Sequence, residues 1–158
     1  MPIATITPDQ DAVISEIEIA APPDRVFQAL ITREQALQWG AGEAFQITQW
    51  DLDPRLGGKW GFTAKDLATG REYVHYGEVI EFNPPRVLSH TWFAKFHKIP
   101  SQRTLVRWDL TPTSTGTLLR VTHSGLTSLP EDRTSYSQGW PGLLDAVRKF
   151  VENKFVEK

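Results

Sequence analysis

Hydrophobic residues recur along this chain with two different periods. Within Ile14–Ala20, Ile17 and Ile19 alternate with Glu16 and Glu18, a period of two that predicts a half-buried strand. The same period returns between residues 45 and 124, where glycine and proline turns such as Asn83-Pro84-Pro85 separate short runs and predict an antiparallel meander. The predicted strands of this meander are Phe45–Asp51, Gly58–Lys65, Arg71–Phe82, Arg86–Phe93, Arg103–Thr111 and Thr117–Ser124.

The period changes to that of an α-helix on either side of the meander. After Pro22-Pro23, the residues Phe27, Leu30 and Ile31 fall at i, i+3 and i+4 and predict a short helix, and a second one ends near Trp39. We expect Pro130–Ser137 to form a separate turn or short helix, because Pro141 lacks the N–H that a continuous helix needs. The closing helix is predicted from an apolar stripe made of Trp140, Leu143, Leu144, Val147 and Val151.

These elements define an α+β fold in a single domain. The 158 residues match the usual length of one domain. We predict an N-terminal tail over residues 1–11 and one domain over residues 12–158. The domain has a curved antiparallel sheet of six to seven strands around a long C-terminal helix, with two short helices between strands 1 and 2. Its one longer loop is expected at Ala94–Gln102.

Alternation also sorts the side chains by sheet face. One face is rich in large rings and contains two histidines. The long helix has to cover this face, so its side chains form either a filled aromatic core or the lining of a ligand pocket, and both readings stay open. The inward residues are Trp60, Phe62 and Ala64, then Leu88, His90 and Trp92, then Thr104, Val106, Trp108 and Leu110, then Leu119, Val121 and His123.

Composition narrows the function classes. The chain has no cysteine, which excludes disulfides, thiolate zinc sites and cysteine nucleophiles. Its formal charge of -2 argues against nucleic-acid binding and against a polybasic membrane patch. No window approaches the roughly 20 apolar residues of a membrane-spanning helix, so we predict no membrane insertion. The first residues carry no signal or transit peptide pattern, and we predict a cytoplasmic location.

Histidine is the main candidate for chemistry. His123 ends an inward strand face and is a candidate general base or polar anchor, although a buried structural histidine explains its position as well. His90 is read in the same way, whereas His75 and His97 are expected on the surface or in a loop. None of the four histidines has the spacing of a metal site, so we predict no metal and no cofactor.

An ordered series of short motifs resembles the START-like, or SRPBCC, superfamily. Within it, the chain is most similar to the branch named after the activator of heat-shock-protein-90 ATPase, and the resemblance covers nearly everything after residue 11. One departure is Gly40, where many relatives carry a second tryptophan after Trp39. The motifs are Ile19–Leu30, Gln38-Trp39, Asp53-Pro54, Gly57–Trp60, Gly77–Val79, Pro84–Leu88, Thr91-Trp92, Val106–Pro112, Leu119–Leu126 and Gly139-Trp140.

The resemblance implies a helix-grip fold with a hydrophobic cavity between the sheet and the C-terminal helix. We therefore favour a domain that binds a small apolar or aromatic ligand, and we favour a non-catalytic function. A cyclase or hydrolase that uses His123 stays an alternative. A role as the partner of a chaperone is a second alternative. We do not favour it, because residues 1–11 cannot supply the extra N-terminal domain of the eukaryotic co-chaperone. A homodimer also stays open. The expected pocket residues are Trp60, Phe62, Tyr76, His90, Trp92, Trp108, His123, Trp140 and Leu144.

Overall fold

A computed structural model describes residues 2–156 of the chain. Its element order is strand, strand, two short helices, six strands and a long helix. The elements are β1 (Ala4–Ile6), β2 (Val13–Ile19), α1 (Pro23–Ile31), α2 (Arg33–Trp39), β3 (Phe45–Leu52), β4 (Lys59–Asp66), β5 (Glu72–Asn83), β6 (Val87–Ala94), β7 (Thr104–Pro112), β8 (Thr117–Ser124) and α3 (Pro130–Val156).

The strands form one curved, unclosed antiparallel sheet. Its order is β1-β2-β8-β7-β6-β5-β4-β3, so β2 lies between β1 and the last strand, β8, and does not pair with β3, the next strand in sequence. Bulges in β3, between Ile47 and Gln49, and in β5, between Val79 and Glu81, interrupt the ladder. Bulges of this kind bend a strand and increase its twist, which helps the sheet to wrap around α3. The predicted α+β helix-grip architecture is confirmed.

Two details differ from the sequence prediction. The segment expected as a tail contains β1, which pairs with β2 through Thr5 and Ile14, so the described sheet has eight strands instead of six or seven. The segment around Pro141 was predicted to break the closing helix, but α3 runs continuously from Pro130 through this residue. A proline inside a helix removes one backbone hydrogen bond, a loss that packing of the buried face offsets here.

Two tryptophans join the short helices to each other and to the sheet. Pro23 begins α1, where its fixed φ suits the first helical turn, and Asp24 complements the helix dipole. At the other end of α1, the indole N–H of Trp39 donates to Ala29 O at 2.8 Å and that of Trp50 donates to Leu30 O at 3.2 Å. Both indoles thus satisfy carbonyls near the end of the helix, where intrahelical donors run out.

Candidate functional site

The inward side chains of the sheet meet α3 in one continuous cluster, which we call the aromatic interior. All of its members are buried, and they come from β4, β6, β7, β8 and α3. The structure therefore brings together all the predicted pocket residues except Tyr76. The aromatic interior consists of Trp60, Phe62, His90, Trp92, Trp108, His123, Trp140 and Leu144.

The rings of the aromatic interior lie in direct contact. Trp92 is at the centre, with its ring centroid 5.0 Å from Trp60, 5.4 Å from Trp140 and 5.0 Å from His123. Trp108 continues the cluster beyond Trp140 at 5.5 Å, edge to face. These spacings fall in the range of favourable aromatic pairs. In this conformation the rings themselves occupy the space between the sheet and α3.

His123 is completely buried, and both of its ring nitrogens have partners. The indole N–H of Trp140 donates to Nδ1 at 3.3 Å, so this nitrogen carries a lone pair. The proton therefore sits on Nε2, which donates to Thr104 Oγ1 at 3.0 Å, while the Thr104 hydroxyl donates to the carbonyl of Trp92 at 2.6 Å. Burial lowers the pKa of His123 well below its usual value, and the neighbouring histidines add to the effect.

His90 repeats this arrangement on β6, which is separated from β8 by β7. The indole N–H of Trp108 donates to its Nε2 at 3.2 Å, and Nδ1–H donates to the carbonyl of Thr91 at 3.3 Å. The ring stacks on Trp60 at 4.3 Å, and burial lowers the pKa of His90 to about 3. His90 and His123 are therefore neutral rings, each with its one lone pair used by an indole. A general base needs that lone pair free for its substrate, so neither histidine is poised for proton transfer in this conformation.

The structure corrects three placements from the sequence. Tyr76 was expected in the pocket, but it is 43% exposed and stacks on Phe93 on the outer face of the sheet. His75 and His97 were expected on the surface or in a loop, but both are buried. His75 lies parallel to Phe62 at 4.0 Å, and burial lowers its pKa to about 3.

One polar cluster was missed by the sequence reasoning. The indole N–H of Trp92 donates to the Tyr136 hydroxyl at 2.9 Å, and this hydroxyl lies 2.5 Å from Nε2 of His97. Tyr136 belongs to α3, within the segment predicted to be a separate turn, and His97 belongs to the loop between β6 and β7. The cluster lies where the aromatic interior approaches the surface, because Tyr136 itself is partly exposed.

Two open grooves lie on the surface of the molecule, away from the aromatic interior. One, of about 390 Å³, is lined by residues of α2, β3 and β4 that include Arg33, Asp51 and Lys59. The other, of about 330 Å³, lies beside Pro22 and Pro112. Nowhere in the described part of the chain do three or more His, Cys, Asp or Glu side chains come together as a metal site would require. Within residues 2–156, no helix is long and apolar enough to cross a membrane.

An antiparallel sheet wrapped around one long C-terminal helix, with a buried aromatic interior between them, defines a helix-grip domain of the START-like class. The model of the family described as "Activator of Hsp90 ATPase homolog 1-like protein" matches residues 20–152. The chain belongs to this family, as the motif series had indicated. No curated protein matches the chain.

Solved structures of bacterial proteins share the fold over almost the whole chain. A protein from Rhodobacter sphaeroides is 19% identical with a TM-score of 0.80, and the match covers 99% of each chain. Protein MLL2253 from Mesorhizobium loti is 26% identical with a TM-score of 0.72, covering 90% of this chain and 97% of that one. The AHSA1 protein SPO3351 from Silicibacter pomeroyi is 24% identical with a TM-score of 0.75, covering 93% and 99%.

Proposed function

We propose that this chain is a non-catalytic domain that binds a small, neutral, apolar or aromatic molecule in the aromatic interior. The observation that carries the proposal is the path of the rings. They run without interruption from Trp108, through Trp140 and Trp92, to the partly exposed Tyr136. An apolar ligand that enters beside Tyr136 meets aromatic surface at every step, and it has to displace rings that now pack on one another.

The hydrogen bonds of the interior set the polarity of the ligand. His90 and His123 are neutral and use their ring nitrogens on indoles and on neighbouring oxygens. They therefore offer a ligand ring faces and C–H edges, with no charge. Transfer of a charged group into such a site without a partner costs several kcal/mol, so the proposed ligand is uncharged.

A matched pair of probes tests the proposal. We expect 2-naphthol to quench the tryptophan fluorescence in a saturable way and to raise the melting temperature, whereas 2-naphthalenesulfonate, with the same rings and a fixed charge, does neither. Trp92→Phe should weaken 2-naphthol binding at least several-fold. Trp39→Phe removes the same atoms from another buried tryptophan, which is separated from Trp92 by two intervening rings, and should leave binding unchanged. Equal binding of both probes, or of neither, would overturn the proposal.

The family description suggests a second candidate function, stimulation of a heat-shock-protein-90 ATPase. We do not favour it, and an ATPase assay with a cognate chaperone tests it directly: a several-fold increase on addition of the chain would establish this role. The enzymatic alternative needs a free ring nitrogen on His123, which is engaged on both sides. A cytoplasmic location and a homodimer stay predictions.

A further inference from the structure

The loop over residues 95–103, which we call the cover loop, joins β6 to β7 next to the aromatic interior. Its internal backbone bonds are few: His97 N–H donates to Ala94 O at 3.2 Å and Gln102 N–H to Ile99 O at 3.0 Å. Its attachments to α3 are made mostly by side chains. The backbone N–H of Lys98 donates to the Asp132 carboxylate at 3.1 Å, and the exposed Lys98 ammonium lies 3.5 Å from Glu131.

His97 is the buried point of the cover loop, with 3% of its surface exposed. The Tyr136 oxygen already receives the indole N–H of Trp92, and its own proton has Nε2 of His97 as its acceptor. His97 is therefore neutral, with its proton on Nδ1. Among the described residues, this buried Nδ1 has no hydrogen-bond partner. The hydrogen bonds from Trp92 to Tyr136 and from Tyr136 to His97 thus connect the centre of the aromatic interior to the cover loop. This series ends at Nδ1 of His97, which has no partner among the described residues.

A second proton on His97 is incompatible with this arrangement. Nε2 becomes a donor, so the Tyr136 hydroxyl loses its acceptor, and a positive charge is then buried beside the aromatic rings. Burial lowers the pKa of His97, and the attraction of Asp132 opposes this only in part. In the open loop the imidazole is hydrated and titrates near its usual value of about 6.5. Acid therefore favours the open loop.

The other charged and titratable groups around His97 do not reverse this direction. On α3 the facing groups are Asp132, which attracts the proton, the exposed Glu131, and Tyr136, whose pKa is raised by burial. On the cover loop itself, Lys98 is exposed and paired with Glu131. From the sheet, His75 on β5 and His123 on β8 couple electrostatically to His97, and protonation of either would make a charge on His97 less favourable.

We propose that residues 95–103 form a pH-responsive cover over the aromatic interior, closed by neutral His97 through Tyr136 and opened by its protonation. The inference rests on the proposed function, because it supplies the regulated entrance to that binding site. Opening breaks the hydrogen bond between Tyr136 and His97 and exposes Trp92, the ring at the centre of the interior.

Hydrogen exchange of the free protein tests the cover. Between pH 6.5 and 5.5, after correction for the intrinsic exchange rate, we expect the protection of amides in residues 95–103 to fall by up to about fivefold, since an imidazole with a pKa of about 6.5 in the open loop is already half protonated at pH 6.5. His97→Gln, which can accept the Tyr136 proton and does not titrate, should abolish the dependence. Tyr136→Phe, which keeps the ring, should lower protection at both pH values. The amides of β7 and β8 report global unfolding; they should be better protected than the loop amides at both pH values, although the buried His75 and His90 lower their protection in acid as well.

Two results would overturn the cover proposal: the same pH dependence of the loop amides in His97→Gln as in the wild type, or loop amides that are as well protected as those of β7 and β8, which would mean that the loop opens only on global unfolding. Binding of 2-naphthol at pH 7.5 and 5.5 separates this proposal from the proposed function. A loop that opens in acid without any binding of 2-naphthol leaves the cover intact and refutes the binding function. If 2-naphthol binds but the pH dependence of loop protection is unaffected by His97→Gln, the cover proposal is refuted and the binding function stands.

Discussion

The hydrogen bond from Trp140 to His123 joins α3 to the centre of the sheet, and a double-mutant cycle measures its contribution to stability. His123→Leu removes the acceptor and replaces the imidazole with an apolar side chain of similar size. Trp140→Phe removes the donor and keeps an aromatic ring on α3. In the wild type the donor lies 3.3 Å from Nδ1 of His123, and both side chains are buried. Each single variant therefore perturbs the same contact from one side.

The expected coupling follows from what each substitution leaves behind. His123→Leu in the wild type strands a buried indole N–H, which costs about 1–3 kcal/mol of the free energy of unfolding. The same substitution in Trp140→Phe strands no donor and is cheaper by that amount. Thr104 contributes little to the difference, because its hydroxyl still donates to the Trp92 carbonyl. We therefore expect a coupling energy of about 1–3 kcal/mol.

Urea unfolding at pH 7.5, followed by far-ultraviolet circular dichroism, gives the four free energies without relying on the altered tryptophan signal. Trp39→Phe paired with His123→Leu is the control, because the Trp39 indole bonds to Ala29 O instead. The control pair should be additive within about 0.5 kcal/mol. A coupling between His123 and Trp140 no larger than that of the control would refute the inferred tautomer and the hydrogen bond on which it depends.

Three further predictions concern stability. Burial lowers the pKa of His75 and His90 to about 3, so the folded state loses stability as the pH falls below about 6.5, the usual pKa of the unfolded chain. The loss is up to about 1.4 kcal/mol per pH unit for each ring, and unchanged urea midpoints between pH 7.5 and 5 would contradict it. Gly77→Ala places a Cβ against the backbone of β6 and should cost about 1–3 kcal/mol by urea unfolding, whereas Gly139→Ala, with open space around it in α3, should be neutral or stabilising. Asp11→Ala removes the acceptor for the segment after β8 and should cost about 1 kcal/mol by thermal unfolding; a loss below about 0.3 kcal/mol would contradict that role.

Strand parity was enough to place most of the aromatic interior. Side chains alternate along a regular strand, so His123 lies on the same inward face as Leu119 and Val121. The same rule holds in β5. The buried Val79 shares its parity with His75 and not with Tyr76, which therefore points outward. The residue type of Tyr76 suits a polar point in a pocket, but its position on β5 places it on the outer face of the sheet.

The cluster of Trp92, Tyr136 and His97 had no signal in the local pattern. His97 belongs to an irregular loop, where no period assigns a face, and Tyr136 precedes a proline that indicated a break in the helix. Their contact joins residues 39 positions apart in the sequence. It depends on how far α3 extends toward its N-terminus and on where the cover loop meets that end.

The sequence by itself determined the helix-grip architecture, the family and the inward faces of the strands, because these follow from local periods and from an ordered series of short motifs. Only the tertiary structure decided the protonation and the partners of the histidines. A ring nitrogen becomes a donor or an acceptor according to the atom that packing places opposite it. For His123 that atom is the indole nitrogen of Trp140, brought there by α3, and for His97 it is the Tyr136 hydroxyl from the same helix.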